Sequence, residues 1–475
     1  MVRLRQNFEK PREIMLKTYI GDKAFYRRVL AIGVPIFMQN LITNFVSMLD
    51  NLMVGQLGTL PMSGVAIVNQ LLFIFNLVVF GISSGTGIFT AQFYGSGDET
   101  SIRHTLRFKI VACTLFSLVC VGVFALFDEQ LIRLFLMGGG SAADAVQILE
   151  YGKDYLWIML LGLIPFAISS AYATTLRECG ETFVPMLSSF GAMFCNLILN
   201  YILIFGHFGA PAMGASGAAV ATVVSRYLEM VIVSLWPHFH LRKYGFLRGL
   251  YRSLHIPGKL MKQLLIKVSP LIINEALWSG AVTFQNQCFS TCGLEVVSAL
   301  NIVTTLNNLA IVVSIAMGNT VGILMGQMLG AGIPGEQVRS ENRKLTACSV
   351  VCGFAISLLM VAMAPFFPKF YNTTSQIWAL ATGMILLLSL AKPVQSYHLC
   401  VYYTIRSGGQ AILTFLYDCG FMCLVNAPVA FVVCHFSNLP FLTIYGICLL
   451  PELIHAVIGG FLIKKDGWIK NLTLS

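Results

Sequence analysis

The chain carries one pattern twice. Residues 30–97 align with residues 265–332 at a constant offset of 235 without a gap, and 14 of the 68 positions are identical. Pro35 falls on Pro270, Asn51 on Asn286, Gly58 on Gly293 and Gln92 on Gln327, while Gly87, Gly95 and Gly97 fall on Gly322, Gly330 and Gly332. Each copy is apolar throughout and long enough to cross a bilayer twice. Such a chain has to fold as two related membrane bundles, with its working site expected at the interface between the copies.

The solvent follows from composition. The chain is 56% hydrophobic and 11% charged, where a soluble chain has roughly 25% charged residues. Twelve apolar runs recur, at about 29–55, 62–94, 106–127, 147–171, 183–206, 213–237, 262–289, 297–329, 345–367, 376–403, 411–435 and 441–463. Each can span a hydrocarbon core of about 30 Å. Only a helix satisfies its own backbone in lipid over runs of this length, because barrel strands are shorter and alternate. The expected fold class is all-α integral membrane: twelve helices in two parallel six-helix repeats around a central cleft.

The net charge of +10 could suggest nucleic acid, but its placement argues for a membrane. With a cytoplasmic N-terminus, 26 of the 31 Lys and Arg fall in cytoplasmic segments, the outer loops hold Arg133, Lys153 and Lys369, and Arg226 and Lys392 lie within spans. This is the positive-inside distribution. It implies a plasma-membrane protein with both termini cytoplasmic, attracted to anionic lipid and not to nucleic acid. The 13 Cys have neither metal nor disulfide spacing and behave as small apolar residues. A basic tail followed by a full-length span, with no small-residue cleavage site, reads as no signal peptide.

The organisation expected is a basic tail over 1–28, an N-lobe over 29–240 with six spans, a linker over 241–261, a C-lobe over 262–463 with six more, and a tail over 464–475. The linker region could form an amphipathic surface helix. The longest outer loop, about 128–146, contains Gly138, Gly139 and Gly140. Ser83, Gly87, Ala91 and Gly95 in the second span, and Gly318, Gly322, Gly326 and Gly330 in the eighth, recur every four residues. That spacing puts each set on one helix face, for close backbone packing or for sliding.

Polar groups in the spans need a reason, since a carboxylate at mid-membrane costs at least a few kcal/mol. Asp50 lies near the outer end of the first span with Ser47 on its face, before Gly55 and Gly58. Such a carboxyl can exchange a proton near neutral pH, and a hard cation would hold it ionised. Asn196 and Asn200 share a face of the fifth span. They could complete an oxygen shell for Na+ with Asp50, hydrogen-bond the protonated Asp50, or join two helices. Glu275 in the seventh span has Trp278 at i+3, which suits a lipophilic organic cation through charge and cation–π attraction. Asp418 and Glu452 complete the C-lobe acids, and Arg226 with Glu229 reads as a structural pair. Lys392, Gln395 and His398 share a face of the tenth span, and His398 could relay protons. A candidate C-lobe site for substrate or a second cation therefore holds Glu275, Trp278, Gln285, Gln395, His398 and Asp418. The eight His are scattered along the sequence and none is expected to join a catalytic or metal cluster.

Several local motifs carry a resemblance. The run from Leu49 through Asp50, Asn51, Met53, Val54 and Gly55 to Gly58, the Gly/Ala run from Gly214 to Thr222, and the Arg-Gly turns at Arg177–Gly180 and Arg406–Gly409 together resemble the multidrug and toxic compound extrusion (MATE) family of bacterial cation antiporters. The resemblance covers about residues 20–470. It implies multidrug efflux driven by inward H+ or Na+, with no other cofactor. It also implies coupling at Asp50, a cation site of Asp50, Asn196, Asn200 and Thr222, and a seventh-span acid at Glu275. Three positions depart from the pattern. Asn200 stands where many members have Asp, Gln395 where one branch has Asp, and Gln410 follows Gly409 where Asp is usual.

The expected function is secondary active export of lipophilic or cationic small molecules by alternating access, in a monomer that is not an enzyme. The alternative is a same-fold flippase or exporter of a lipid-linked or native metabolite, which would want an Arg-rich central cavity. A passive channel would go on moving substrate after both ion gradients are dissipated. A membrane-embedded enzyme would need a catalytic cluster that the sequence lacks.

Overall fold

The computed structural model describes residues 19–136 and 142–473, which are helices and loops without strands. The basic residues from Arg3 to Lys17 and the Gly138–Gly140 run lie outside the described residues. The long helices are α1 (Lys23–Gly55), α2 (Thr59–Ser96), α3 (Glu99–Leu126), α4 (Ala142–Leu160), α5 (Leu163–Glu178), α6 (Phe183–Phe205), α7 (Ala215–Phe239), α8 (Gly258–Ser290), α9 (Leu294–Gly330), α10 (Gly335–Met363), α11 (Ser375–Ser407), α12 (Ala411–Phe436) and α13 (Phe441–Lys464). Among the described residues, ten are singly long and apolar enough to cross a membrane, and the bent pair α4/α5 makes an eleventh. The expected seventh span is the 33-residue helix α8. With Lys262, Lys267, Asn274 and Glu275 along it, α8 is too polar to be counted on composition.

The helices outrun the apolar stretches that announced them. At 1.5 Å per residue, the 38-residue α2 is roughly 57 Å long, nearly twice a hydrocarbon core. Large apolar side chains such as Leu115, Leu118 and Val119 on α3, and Leu358 and Leu359 on α10, are exposed, as lipid-facing positions require. The fourth expected span is broken, with α4 and α5 meeting at 49°. Pro165 in the first turn of α5 has no backbone donor. The carbonyl of Gly162 at the break accepts from Arg226 Nη1 at 3.4 Å.

The chain divides into two compact units, one of residues 38–90 and 98–272, the other of residues up to 37, 91–97 and 273 onward. Two of the divisions, after Phe37 and after Ile272, are equivalent positions of the repeat, two residues past Pro35 and Pro270.

In the first of these units a buried ion pair ties α3 to α5. Lys109 Nζ donates to Glu178 Oε2 at 2.5 Å and to Thr174 and Thr175 hydroxyls at 3.3 and 3.2 Å. Lys109 is fully buried. Gly87 makes room for the carboxylate, since a Cβ there would lie 1.8 Å from Glu178 Oε1. The region after α7 corrects an expectation: in place of an amphipathic helix it forms two single 3-10 turns, Gly245–Leu247 and Leu250–Arg252. Its carbonyls are taken by α3 instead of by a helical ladder. Arg103 Nε donates to Phe246 O at 3.0 Å, and Arg107 donates to Leu250 O and Gly249 O, both at 2.8 Å, and to His255 O at 3.1 Å.

In the other unit the last turns of α2 meet α9 at equivalent positions of the repeat. A Cβ on Gly95 would lie 1.9 Å from the carbonyl oxygen of Gln327, and one on Gly330 would lie 1.8 Å from that of Gln92. Between them Gly326 faces the Cβ of its counterpart Ala91 at 2.9 Å, and Gly318 and Gly322 receive the ring of Tyr403. The glycine face is therefore a surface of close backbone packing. Both Arg-Gly turns end their helices alike, with Gly180 and Gly409 at φ +79° and +69° donating to the carbonyls of Arg177 and Arg406 at 2.9 Å. A left-handed backbone of this kind favours glycine.

Two outcomes test this packing. Gly330→Ala should destabilise the purified protein by about 1–3 kcal/mol, seen as a lower melting temperature in detergent. Gly122→Ala, where a Cβ meets nothing within 4 Å, should be neutral or stabilising. Lys109→Met, which strands a buried carboxylate, should cost about 3–5 kcal/mol, and Lys109→Met with Glu178→Met should recover most of it. A single variant as stable as the double would show that the pair does not hold α3 against α5.

Candidate functional site

Two cavities carry the polar residues that the spans can least afford, one in each unit. In the unit of residues 38–90 and 98–272, a cavity of about 410 Å³ is walled by α1, α2, α4, α5, α6 and α7. Asp50 enters it from α1, one turn and a half before the helix ends at Gly55. Its Oδ1 accepts from Asn200 Nδ2 at 2.5 Å, Asn200 Nδ2 also donates to Asn196 Oδ1 at 3.0 Å, and Asn196 Nδ2 donates to Thr222 Oγ1 at 3.3 Å. The i,i+4 spacing on α6 presents both amides on one face, as the sequence indicated. All four residues expected in this site are thus brought together by α1, α6 and α7.

The chain of bonds is not saturated. Asn200 is wholly buried and its Oδ1 has no hydrogen-bond partner among the described residues. The donor set suits a hard monovalent cation, with a carboxylate, amide carbonyls and a hydroxyl, all oxygen ligands. The rest of the wall is mixed. Ser47 and Asn51 from α1, Asn69 and Asn76 from α2, and Tyr155 from α4 add polar groups among apolar neighbours such as Phe73, Met159 and Phe166. The sequence reading missed Asn69 and Asn76, although their spacing of seven on an apolar helix was a usable signal.

Arg226 and Glu229 do not form the expected ion pair. Arg226 Nη1 donates at 3.4 Å to the carbonyl of Gly162, which also accepts from the backbone of Phe166 at 3.2 Å, and it lies over the Phe166 ring at 5.0 Å, while Glu229 Oε1 accepts from Ser189 Oγ at 2.7 Å. The bend between α4 and α5 supplies the acceptor that draws Arg226 away. Both residues line the Asp50 cavity.

In the other unit a cavity of about 360 Å³ is lined by Trp278, Gln285, Gln395, His398 and Asp418 of the expected C-lobe site, together with Asn307, Lys392, Glu452 and His455. Glu275 is not in this group. It faces Arg406 Nη1 at 3.6 Å and Tyr402 Oη at 3.5 Å, so the buried guanidinium of the Arg-Gly turn takes the carboxylate that Trp278 was expected to share. Asp418 sits where α12 widens to π geometry over Leu416–Gly420, and its Oδ2 accepts from Asn274 Nδ2 at 2.8 Å. Lys392 donates to Asn307 and, at 3.0 Å, to Gln395.

The histidines are not all scattered in space. His398 on α11 and His455 on α13 stand with ring centroids 4.6 Å apart, and Glu452 Oε2 lies 3.7 Å from His398 Nδ1. The two rings stand 57 positions apart in sequence, so no local spacing announced the cluster. The Glu452/His455 pair at i,i+3 on one helix face was the signal available.

Comparison with known proteins fits this architecture. A family model described as MatE matches residues 35–202 and 270–432. The "Probable multidrug resistance protein NorM" of Thermotoga maritima is 23% identical over 451 residues, covering 94% of each chain. The "Probable multidrug resistance protein YoeA" of Bacillus subtilis is 21% identical over 442 residues, covering 92% of this chain and 93% of that one. The crystal structure of a mutant of the Vibrio cholerae MATE transporter VcmN superposes with a TM-score of 0.82 at 17% identity, covering 95% of this chain and 99% of that one, and so shares its fold. With the family model matching well over half of its length in two equivalent segments, the chain belongs to the MATE family of multidrug efflux transporters.

Proposed function

We propose that this protein exports lipophilic or cationic small molecules against inward H+ or Na+ by alternating access. In this reading the working parts are two six-span lobes, residues 29–240 and 262–463, joined by the 241–261 linker. The protein works as a monomer in the plasma membrane, with both termini cytoplasmic and bilayer lipid as its surroundings. One observation carries the reading: the Asp50 carboxylate on the wall of a cavity, bonded in series to Asn200, Asn196 and Thr222.

That series is what an ion would disturb. Na+ against Asp50 wants oxygen ligands. Asn200 now presents its amide nitrogen to Asp50, so it would have to turn its Oδ1 to the ion. A proton on Asp50 Oδ2 would leave Oδ1 to accept from Asn200 but would add an O–H donor that needs a partner of its own. Na+ replaces the Asn200–Asp50 bond and a proton adds a donor beside it, so either ion changes what α1 and α6 share. A local exchange of this kind becomes transport when the two arrangements favour different exposures of the cavity.

The cavity of Trp278 and Asp418 is the proposed seat of the organic cation or of a second ion. An acid beside aromatic walls, including Phe289, Phe421 and Tyr445, suits a lipophilic cation. The names of the Thermotoga and Bacillus relatives, probable multidrug resistance proteins, support a broad substrate class.

The test is efflux of a fluorescent lipophilic cation from vesicles under an imposed Na+ or pH gradient. Efflux should follow one of the two gradients, and Asp50→Asn should reduce it at least about fivefold, the lower end of a typical coupling free energy. Full-rate efflux by a correctly inserted Asp50→Asn protein would end the proposal. No gradient-dependent movement would favour a native metabolite or lipid-linked substrate. Asn200→Asp places a second carboxylate beside Asp50 and should raise Na+-driven efflux relative to pH-driven efflux, measured in the same vesicles.

A further inference from the structure

His398 was expected in the C-lobe site, but the transport reading makes no use of its grouping with Glu452 and His455 on the wall of that cavity. The three residues offer one ligand atom each, all within 4.8 Å of one another. His398 Nδ1 and Glu452 Oε2 face each other at 3.7 Å, beyond hydrogen-bond distance, and both are buried without a hydrogen-bond partner among the described residues. Buried polar atoms are rarely left in that state. Two ligands on one tetrahedral ion, each at about 2.0–2.2 Å, stand roughly 3.3 Å apart, so the observed gap fits an ion between them after a small side-chain shift.

The surroundings hold the ligands as a metal site would. His455 Nε2 lies 2.8 Å from the backbone carbonyl of Tyr417. A carbonyl can only accept, so this nitrogen carries the proton and Nδ1 keeps its lone pair. A ligating imidazole anchored through its other N–H to a backbone carbonyl is the usual outer-shell arrangement. The ring is further fixed by stacking on Phe421, with centroids 4.2 Å apart and planes 13° from parallel. Tyr417 belongs to the π-widened stretch of α12, the kind of helix defect that recurs at functional sites. All three candidate ligands line the 360 Å³ cavity, which gives an ion a way in.

The donor set names the class. Two imidazoles and one carboxylate suit borderline divalent ions, whereas Na+, Mg2+ and Ca2+ take oxygen ligands. We propose that His398, Glu452 and His455 form a binding site for a divalent transition-metal ion of the Zn2+ class within the cavity of this unit. Lys392 lines the same cavity and opposes a cation there, but its ammonium is engaged by Asn307 and Gln395, and Asp418 adds a second carboxylate to the wall.

The experiment uses Co2+ as a spectroscopic probe on the full-length protein, purified in detergent and stripped of metal. The expected result is binding with the visible d–d bands of tetrahedral Co2+, displaced by Zn2+ and free of a thiolate charge-transfer band. Glu452→Gln and His398→Asn should each weaken binding by at least about tenfold, no less than the loss of an outer-shell partner. Cys419→Ser with Cys423→Ser, which removes a thiol pair 3.7 Å apart, should leave it unchanged. Size-exclusion profiles identify folded variants, and either ligand variant alone decides if the other fails to fold. Absence of Co2+ binding by the unmodified protein, equal affinity in the folded ligand variants, or a thiolate band lost with the cysteine pair would overturn the proposal.

Discussion

The unit that contains α9 and α11 depends on Gln92. This side chain is wholly buried at the end of α2. Its Nε2 donates to the carbonyls of Ser407 and Lys470 at 2.8 and 3.1 Å, and its Oε1 accepts from the backbone of Leu472 at 2.7 Å. One amide thus satisfies the last turn of α11 and the chain after α13, groups that a helix end leaves without intrahelical partners. It can reach them because Gly330 lets α9 approach the Gln92 backbone, while Gly95 lets α2 approach that of Gln327. The Arg406–Gly409 turn is seated by the same assembly, with a Cβ on Gly408 falling 1.8 Å from the carbonyl oxygen of Trp468.

Desolvation decides where the charged side chains go. Lys109 is neutralised by Glu178, Glu275 faces Arg406, Lys392 is held by two amide oxygens, and Arg226 meets the Gly162 carbonyl at a helix break. A charge without such a partner inside a membrane bundle is expensive. Asp50, Asp418 and Glu452 are set differently, on cavity walls against neutral or weakly basic neighbours. Carboxylates with no Lys or Arg in ion-pair contact among the described residues are the ones available to a mobile cation.

Much of this was legible. Helicity followed from unbroken apolar runs, close packing from glycines every four residues, and the Asp50 series from one acid and an i,i+4 pair of amides. What escaped depends on which helices become neighbours. The partner of Arg226 is the Gly162 carbonyl at the break before α5, and Glu275 meets an arginine 131 positions away in sequence. The His398–His455 approach likewise joins α11 to α13. The surface helix expected after α7 failed for a related reason, because Arg103 and Arg107 claim the carbonyls that its ladder would have used.

The duplication preserves positions more than chemistry. The counterpart of Asp50 at an offset of 235 is Gln285, and each lines the cavity of its own unit. A carboxylate in one copy is an amide in the other, so the second cavity draws its acids from α12 and α13, at Asp418 and Glu452. Around Asp50 the donors are oxygens from an acid, two amides and a hydroxyl, whereas around Glu452 they include two imidazoles. Oxygen sites select hard cations and imidazole sites select softer ones. Two cavities descended from one pattern therefore present different donor sets. That difference supports the proposed division, with the coupling ion at Asp50 and another cargo in the aromatic, acid-bearing cavity.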